Sequence, residues 1–216
     1  MKTFFTVLII SLLYNFSFGQ DLPVFPTQEE LNSNKGYVQT IPKGITHPPL
    51  APVRNPAEWE EMQGICVSWS NTYKSFLREI VRYASQEGLV WIYYYDSTTV
   101  KSYLTSGGIS TTNTRYIQTS LNSIWIRDFG ANSIYRNDVD SLYLVDWLYN
   151  RDRPADDASP AALATRLNLP MYECTQAPTD LVATGGNFMS DGFNTAFSSK
   201  LILNENATVS QFNSTP

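Results

Sequence analysis

The sequence has 216 residues, of which 43% are hydrophobic and 13% aromatic, and its formal net charge is −5 at pH 7. This composition is typical of a folded globular protein, large enough for one sizeable domain or two small ones, and it argues against intrinsic disorder. The acidic balance argues against a nucleic-acid partner, because affinity for phosphate depends on clustered Lys and Arg.

The first 19 residues have the pattern of a secretory signal peptide. Lys2 precedes an apolar run from Phe4 to Leu13, and Ser17 and Gly19 are the small residues before Gln20. We therefore expect a secreted or periplasmic protein that is cleaved near Gly19–Gln20. No later segment approaches the roughly 20 apolar residues that a membrane helix needs, so no membrane partner is expected.

Residues 20–58 are rich in proline and lack sustained periodicity. They predict an extended lead-in along the surface of a domain that spans residues 59–216. The one histidine, His47, lies in this lead-in, directly before Pro48. A general base needs a positioned partner and a pocket, neither of which a proline-rich loop promises, so we interpret His47 as a loop residue.

The pattern becomes regular after the lead-in. The predicted elements are a strand at 64–69, a helix at 74–86, a strand at 89–95, a helix at 98–104 and a strand at 114–119. A helix between two apolar strands indicates a βαβ unit with parallel strands. In the first helix, Phe76, Ile80 and Tyr83 have the spacing of a single apolar stripe.

Further alternation of strands and helices fills the second half of the chain. The predicted elements are a hairpin of strands at 132–135 and 141–146, a helix at 155–167, strands at 169–174, 182–187 and 196–203, and a polar tail from residue 204. Ser159 and Pro160 have the order of an N-cap and a first-turn proline in that helix. The whole predicts a mixed α/β domain assembled from similar units.

Cys66 and Cys174 are the only cysteines. They can pair in an oxidising compartment, but two thiols far apart in sequence have no framework signature, so a disulfide remains an open alternative. Cys66 lies in the middle of a predicted strand, which favours a small core residue.

Residues 123–130 have the features of a binding site. An apolar, strand-like run ends in Arg127 and Asp128, and the chain turns at Gly130. Trp125 and Asp128 offer an aromatic wall and a carboxylate to one cationic group. The alternative is an ordinary strand end with a surface pair of Arg127 and Asp128.

Four motifs in order resemble the guanidino-group-modifying enzymes, specifically the bacterial peptidylarginine deiminase and agmatine deiminase branch. They are Glu61-Met-Gln-Gly64, Trp125-Ile-Arg-Asp-Phe-Gly130, Tyr149-Asn-Arg-Asp-Arg-Pro154 and Thr184-Gly-Gly-Asn-Phe-Met-Ser-Asp-Gly192. The resemblance implies a pentein-type α/β propeller, a ring of five ββαβ units around a central site. It also implies that this chain is the N-terminal half of such a ring and ends inside the third unit.

The resemblance further implies a hydrolase that converts an arginine guanidinium group to citrulline and ammonia. Asp128 matches the catalytic carboxylate that holds the guanidinium, and Trp125 matches the aromatic residue that lines the substrate slot. Arg151 and Arg153 match a pair that binds the carboxylate of a C-terminal arginine in the peptidylarginine branch. The alternative for this pair is a solvated loop with Asp152 and Asp156 as partners. No cofactor and no metal are expected.

The family's His-x-Asp segment and its nucleophilic cysteine have no counterpart here, because Cys66 and Cys174 fall at other motifs and His47 precedes the domain. We therefore expect the chain to be inactive by itself. Three functions remain open: a secreted peptidylarginine deiminase-like hydrolase, a deiminase of free agmatine, and a non-enzymatic secreted binding domain. The expected partner is an arginine-containing peptide or an agmatine-like small guanidine, and no oligomeric state is predicted.

Overall fold

The computed structural model describes residues 21–32, 44–50, 52–137 and 139–207. The predicted signal peptide at residues 1–19 lies outside the described residues, as does part of the predicted lead-in. In the described part of the chain, no helix is long and apolar enough to cross a membrane.

Short strands and helices alternate along the chain. The strands are β1 (Val53–Arg54), β2 (Gly64–Ser68), β3 (Leu89–Tyr94), β4 (Thr114–Gln118), β5 (Asn132–Arg136), β6 (Ser141–Tyr149), β7 (Met171–Cys174), β8 (Val182–Ala183), β9 (Met189–Ser190) and β10 (Ala196–Phe197). The helices are α1 (Gln28–Asn32), α2 (Lys74–Glu87), α3 (Ser97–Ser106), α4 (Ile126–Phe129), α5 (Pro154–Asp157), α6 (Ser159–Leu167) and α7 (Leu201–Glu205). A 3-10 turn spans Gly185–Asn187. The predicted mixed α/β class is confirmed.

The first sheet is parallel and has three strands in the order β2-β3-β4. The predicted βαβ unit is therefore confirmed. Val90 and Ile92 of the central strand are fully buried, as expected for a parallel strand that is covered on both faces.

The apolar stripe predicted for α2 was wrong. Leu77 and Val81 are the buried residues of this helix, whereas Phe76 and Tyr83 are 65% and 66% exposed. Only Ile80 of the predicted stripe packs against the core. The sequence contains two overlapping apolar stripes, and the aliphatic one packs against the sheet while two aromatic side chains remain at the surface.

The strands β5, β6 and β7, with α5 and α6, form one ββαβ unit. β5 pairs with β6 antiparallel, which confirms the predicted hairpin, and β6 pairs with β7 in parallel. Leu163 of α6 packs in one cluster with Leu144 of β6 and with Trp91 and Ile117 of the first sheet. The two sheets thus share a core around α6, and β6 ends at Tyr149.

The predicted helix at 155–167 is two helices. Ala158 separates α5 from α6 and is the N-cap of α6, so Ser159 is not the cap but the first helical residue. The last residue of α5 binds the end of β6: Asp157 Oδ1 accepts a hydrogen bond from the Tyr149 amide at 2.7 Å.

The strands predicted at 182–187 and 196–203 are shorter than expected. β8 ends at Ala183 and β10 at Phe197, and α7 begins at Leu201, inside the range predicted for the second strand. The side-chain amide of Asn206 donates to Val182 O and accepts from Val182 N, both at 2.8 Å. β8 pairs with β6 in parallel, and the backbone N–H and C=O of Val182 are paired with a side chain rather than with a further strand.

Several acidic side chains are buried where β6, β7 and α5 meet. Asp146 and Glu173 are partners across β6 and β7 and are only 9% and 5% exposed. Burial, together with the charges of Asp157 and Glu173, raises the pKa of Asp146 to about 8. Burial also raises the pKa of Asp156 and of Asp157 to about 6.

These shifts determine the direction of the pH dependence of stability. A carboxyl group whose pKa is higher in the folded chain stabilises the fold at low pH, and this contribution is lost as the pH rises through the folded pKa. We expect the thermal unfolding midpoint to rise as the pH is lowered from 8 to 5. The Asp146→Asn substitution should raise the midpoint at pH 8 and flatten this dependence, because the buried charge is gone.

Circular dichroism melts across this pH range check the prediction. Asp140→Asn is the matched control, since Asp140 lies in an exposed turn and its replacement should change neither the midpoint nor its pH dependence. A wild-type midpoint that increases with pH over this range would contradict the prediction.

Candidate functional site

Residues 123–130 form a sharp turn and not the end of a strand, so the strand-like interpretation was wrong. Trp125 is the N-terminal cap residue of α4. The amides of Asp128 and Gly130 donate to the carbonyl oxygens of Trp125 and Ile126, both at 2.8 Å. Local hydrogen bonds thus replace the sheet pairing that the apolar pattern predicted.

The segment that begins at Thr184 wraps around Asp128. Thr184 Oγ1 donates to Asp128 Oδ1 at 3.1 Å. A Cβ atom on Gly185 would overlap the Arg127 carbonyl oxygen, and a Cβ atom on Gly186 would overlap Asp128 Oδ1. The absence of side chains at both glycines permits this approach, which joins two of the four motifs at one half-buried carboxylate.

Arg127 has partners of its own. Its guanidinium forms an ion pair with Glu58 and donates to Phe188 O at 2.9 Å, and its side chain is 58% exposed. Among the described residues, no ion pair joins Arg127 to Asp128. The simple surface pair that we considered for this segment is therefore not formed.

Tyr149, for which no role was predicted, is the first residue of the arginine motif (residues 149–154) and connects it to α4. Its ring meets Phe129 edge to face, with the ring centroids 5.9 Å apart. Burial raises the pKa of the Tyr149 hydroxyl, which also lies within electrostatic range of Arg153, Asp128 and Arg151. Charged groups of both motifs therefore converge on one phenol. Its place at the end of β6, as the first residue of that motif, was the available signal.

Arg151 is half-buried, and its guanidinium is only partly used. Nη1 donates to Asn150 O at 2.9 Å, while Nε has no hydrogen-bond partner in the part of the chain that the structure describes. Glu205 of α7 lies nearby and accepts from Asn150 Nδ2 at 2.8 Å. Burial raises the pKa of Glu205, and the hydrogen bond from Asn150 and the charge of Arg151 oppose that shift.

Arg153 was predicted to bind a ligand carboxylate, but in the structure its guanidinium is occupied by other residues of the chain. It is 1% exposed, and its Nε donates to Glu30 Oε1 at 2.7 Å. Its Nη2 donates to Pro23 O at 2.6 Å. In this arrangement the residue ties the lead-in to the domain, and a ligand does not reach it.

Trp125 also touches the lead-in. Its indole Nε1 donates to Leu22 O at 2.8 Å, and the ring is half-buried. Asp156, considered as a partner for the arginines, instead accepts hydrogen bonds from the backbone of Asn122 and Ser123. The residues predicted for the site thus lie near one another, but Trp125 and Arg153 are engaged by residues 22–30.

The two cysteines are free thiols in the structure. Burial raises the pKa of Cys66 to about 11, and burial followed by the charge of Asp146 raises the pKa of Cys174. His47 is exposed and lies outside the helices and strands, and its Nδ1 is 3.1 Å from Pro48 O, which confirms its interpretation as a loop residue. Within the described ranges, no cluster of His, Cys, Asp and Glu is arranged to hold a metal ion.

Comparison with solved structures shows the same fold in known deiminases. The agmatine deiminase of C. jejuni is 23% identical, with a TM-score of 0.60 over 74% of this chain and 50% of that one. A cysteine-to-serine variant of this enzyme with substrate bound is 22% identical, with a TM-score of 0.60 over 72% and 48%. A Porphyromonas gingivalis protein, provisionally named an arginine deiminase, is 14% identical, with a TM-score of 0.61 over 72% and 49%.

The chain spans about half the length of these structures. A family model matches most of it: the model of the Porphyromonas-type peptidyl-arginine deiminases covers residues 54–213. This range includes α4, the wrapped carboxylate of Asp128, Tyr149 and the arginine motif. The chain therefore belongs to the family of Porphyromonas-type peptidyl-arginine deiminases.

Proposed function

We propose that this protein is a secreted deiminase of the peptidylarginine type, in which the described residues hold the guanidinium group of the substrate. The proposal is carried by the setting of Asp128, a carboxylate fixed by Thr184, enclosed by Gly186 and close to Tyr149. A carboxylate fixed in this way can accept two parallel N–H donors of a planar guanidinium. The signal-like pattern of residues 1–19 supports export.

The chemistry explains why such a holding site is needed. The carbon of a guanidinium is a poor electrophile, because its positive charge is delocalised over three nitrogens. Hydrolysis replaces one of these nitrogens, which leaves as ammonia, with the oxygen of water, so a nucleophile must be held against the carbon. Asp128 provides that orientation, and the ring of Trp125 offers an aromatic surface for the cation.

Arg151 favours a substrate that carries a carboxylate. Its Nε is buried and has no hydrogen-bond partner among the described residues, and the planar fork of a guanidinium matches a carboxylate group. A peptide that ends in arginine presents a carboxylate and a guanidinium on one residue, whereas agmatine lacks the carboxylate. We therefore propose the C-terminal arginine of a peptide as substrate, with agmatine as the alternative.

Neither cysteine among the described residues is suited to act as the nucleophile of this reaction. The thiolate is the reactive form of cysteine, and the pKa values of Cys66 and Cys174 are both raised by burial. We propose that this chain binds a guanidinium without hydrolysing it. We also propose a pentein-type ring architecture, which the ββαβ unit formed by β5 to β7 supports.

The first test concerns Asp128. Asp128→Asn should weaken the binding of a blocked peptide that ends in arginine about 10-fold or more, because a hydrogen bond to a charged group contributes about 1.5–3 kcal/mol. Titration calorimetry measures this, with Asp140→Asn as a control of equal charge change. Equal affinity in the wild type and in Asp128→Asn would contradict the proposal.

A second test separates the two substrates. Arg151→Gln should weaken the binding of the arginine peptide and leave the binding of agmatine unchanged, because only the peptide presents a carboxylate. Arg136→Gln, at an exposed strand end, controls for the loss of a positive charge. Tighter binding of agmatine than of the peptide by the wild type would favour the alternative substrate.

A third prediction is that the chain releases neither citrulline nor ammonia from arginine peptides. The reason is that the thiols of Cys66 and Cys174 are protonated at neutral pH. Colorimetric assays of both products, with Cys66→Ser and Cys174→Ser as reference variants, check the outcome. Product release that one of these substitutions abolishes would show that we have misassigned the nucleophile.

A further inference from the structure

The lead-in contacts the residues that the proposed function assigns to the substrate. The amide of Leu22 donates to Asn122 O at 3.2 Å, and Leu22 O accepts the indole N–H of Trp125 at 2.8 Å. One residue further, Pro23 O accepts from Arg153 Nη2 at 2.6 Å. The segment therefore lies across both an aromatic residue and a cation of the candidate site.

Glu30 makes the central contact of this segment. Its Oε1 accepts from Arg153 Nε at 2.7 Å and its Oε2 from Nη2 at 3.3 Å. Burial opposes the charged form of Glu30, but hydrogen bonds from Arg153 and Thr27 outweigh it, so the pKa of Glu30 lies below its ordinary value of 4.5. The carboxylate is therefore ionised at neutral pH, and it meets the guanidinium in the paired geometry that a peptide carboxylate also adopts.

Local structure holds Glu30 in position for this contact. The amide of Thr27 donates to Glu30 Oε2 at 2.6 Å, and the amide of Glu30 donates to Thr27 Oγ1 at 3.2 Å. This reciprocal pair is a capping box at the start of α1. The carboxylate is thus oriented before it meets Arg153.

Apolar burial contributes little to the docking of this segment. α1 has five residues and buries none of them, and a helix of that length is not stable by itself in water. Phe25 and Leu31 are 76% and 63% exposed. The segment is held mainly by polar contacts, and these can be exchanged for equivalent contacts with a ligand.

The contact with Glu30 also leaves Arg153 incompletely satisfied. Arg153 Nη1 is buried and has no hydrogen-bond partner among the described residues. A carboxylate that approaches the Nη1 and Nη2 edge of the fork would use this free donor, which Glu30 does not. A ligand therefore gains a bond that the lead-in does not make.

We propose that the lead-in is an intramolecular stand-in for substrate: Glu30 occupies the carboxylate position on Arg153, and residues 22–23 cover Trp125 until a C-terminal carboxylate displaces them. This inference rests on the proposed function, since it assumes that the ligand is a peptide ending in arginine. It explains why Arg153, one of two arginines in the motif, is buried. Displacement of residues 22–30 opens the site.

The test compares two neighbouring glutamates. Glu30→Gln should bind a blocked tripeptide ending in arginine about tenfold more tightly than the wild type, because the competing charged contact is lost. Glu29→Gln, an exposed position on the same helix, should bind like the wild type. The same tripeptide with a C-terminal amide should gain nothing in Glu30→Gln, because it has no carboxylate.

Hydrogen exchange on the wild-type chain provides an independent readout. The amide of Leu22 donates to Asn122 O of the domain while residues 22–30 are docked, so saturating tripeptide should accelerate its exchange. This measurement decides the question even if Glu30→Gln fails to fold.

The outcomes separate the two proposals. Equal affinity in all three proteins, with unchanged exchange at Leu22, would overturn the stand-in and leave the proposed function intact. Weaker binding by Glu30→Gln would also overturn the stand-in. No binding of the tripeptide by any protein, with the fold intact, would overturn the proposed function and the stand-in together.

Discussion

The buried carboxylate of Asp156 is the contact on which the geometry of the site depends. It is 0% exposed and accepts hydrogen bonds from Asn122 N at 2.7 Å and from Ser123 Oγ at 2.7 Å. In return, Asn122 Oδ1 accepts the amide of Ala155 at 2.9 Å. Ser68 Oγ, at the end of β2, donates to Ser123 O at 2.7 Å. This network fastens the first sheet, the start of α5 and the loop before Trp125 to one another.

The network is made of polar groups that are costly to bury, and the pKa of Asp156 is raised to about 6 as a result. The pKa of Asp146 is raised further, to about 8. A buried charge is tolerated where its hydrogen bonds fix a geometry that apolar packing does not fix. Here Asp156 fixes the turn that carries Trp125 and Asp128. The expected decrease of stability at neutral pH is the cost of that rigid placement.

The parts of the fold that follow from local pattern were predictable from sequence. The parallel β2-α2-β3 unit and the β5-β6 hairpin follow from apolar periodicity and turn residues. The pattern did not predict α4, because Ile124, Trp125 and Ile126 suit a strand as well as a tight turn. The choice is made by distant residues, since Thr184 and Gly186 enclose Asp128 from 56 and 58 positions away. The ion pair of Arg153 and Glu30 spans 123 positions, so no local pattern contains it.

Arg151 and Arg153 belong to one short motif, but their side chains lie in different surroundings. The amide of Arg153 donates to Arg151 O at 2.8 Å, and this tight turn, followed by Pro154 at the start of α5, separates the two guanidinium groups. Arg151 retains an unused donor and is half-buried beside Glu205, whereas Arg153 is enclosed by the lead-in. Under the stand-in proposal, a ligand carboxylate meets Arg151 first and Arg153 only after Glu30 has left. On that proposal the two cations of the motif act in sequence, and residues 22–30 determine the order.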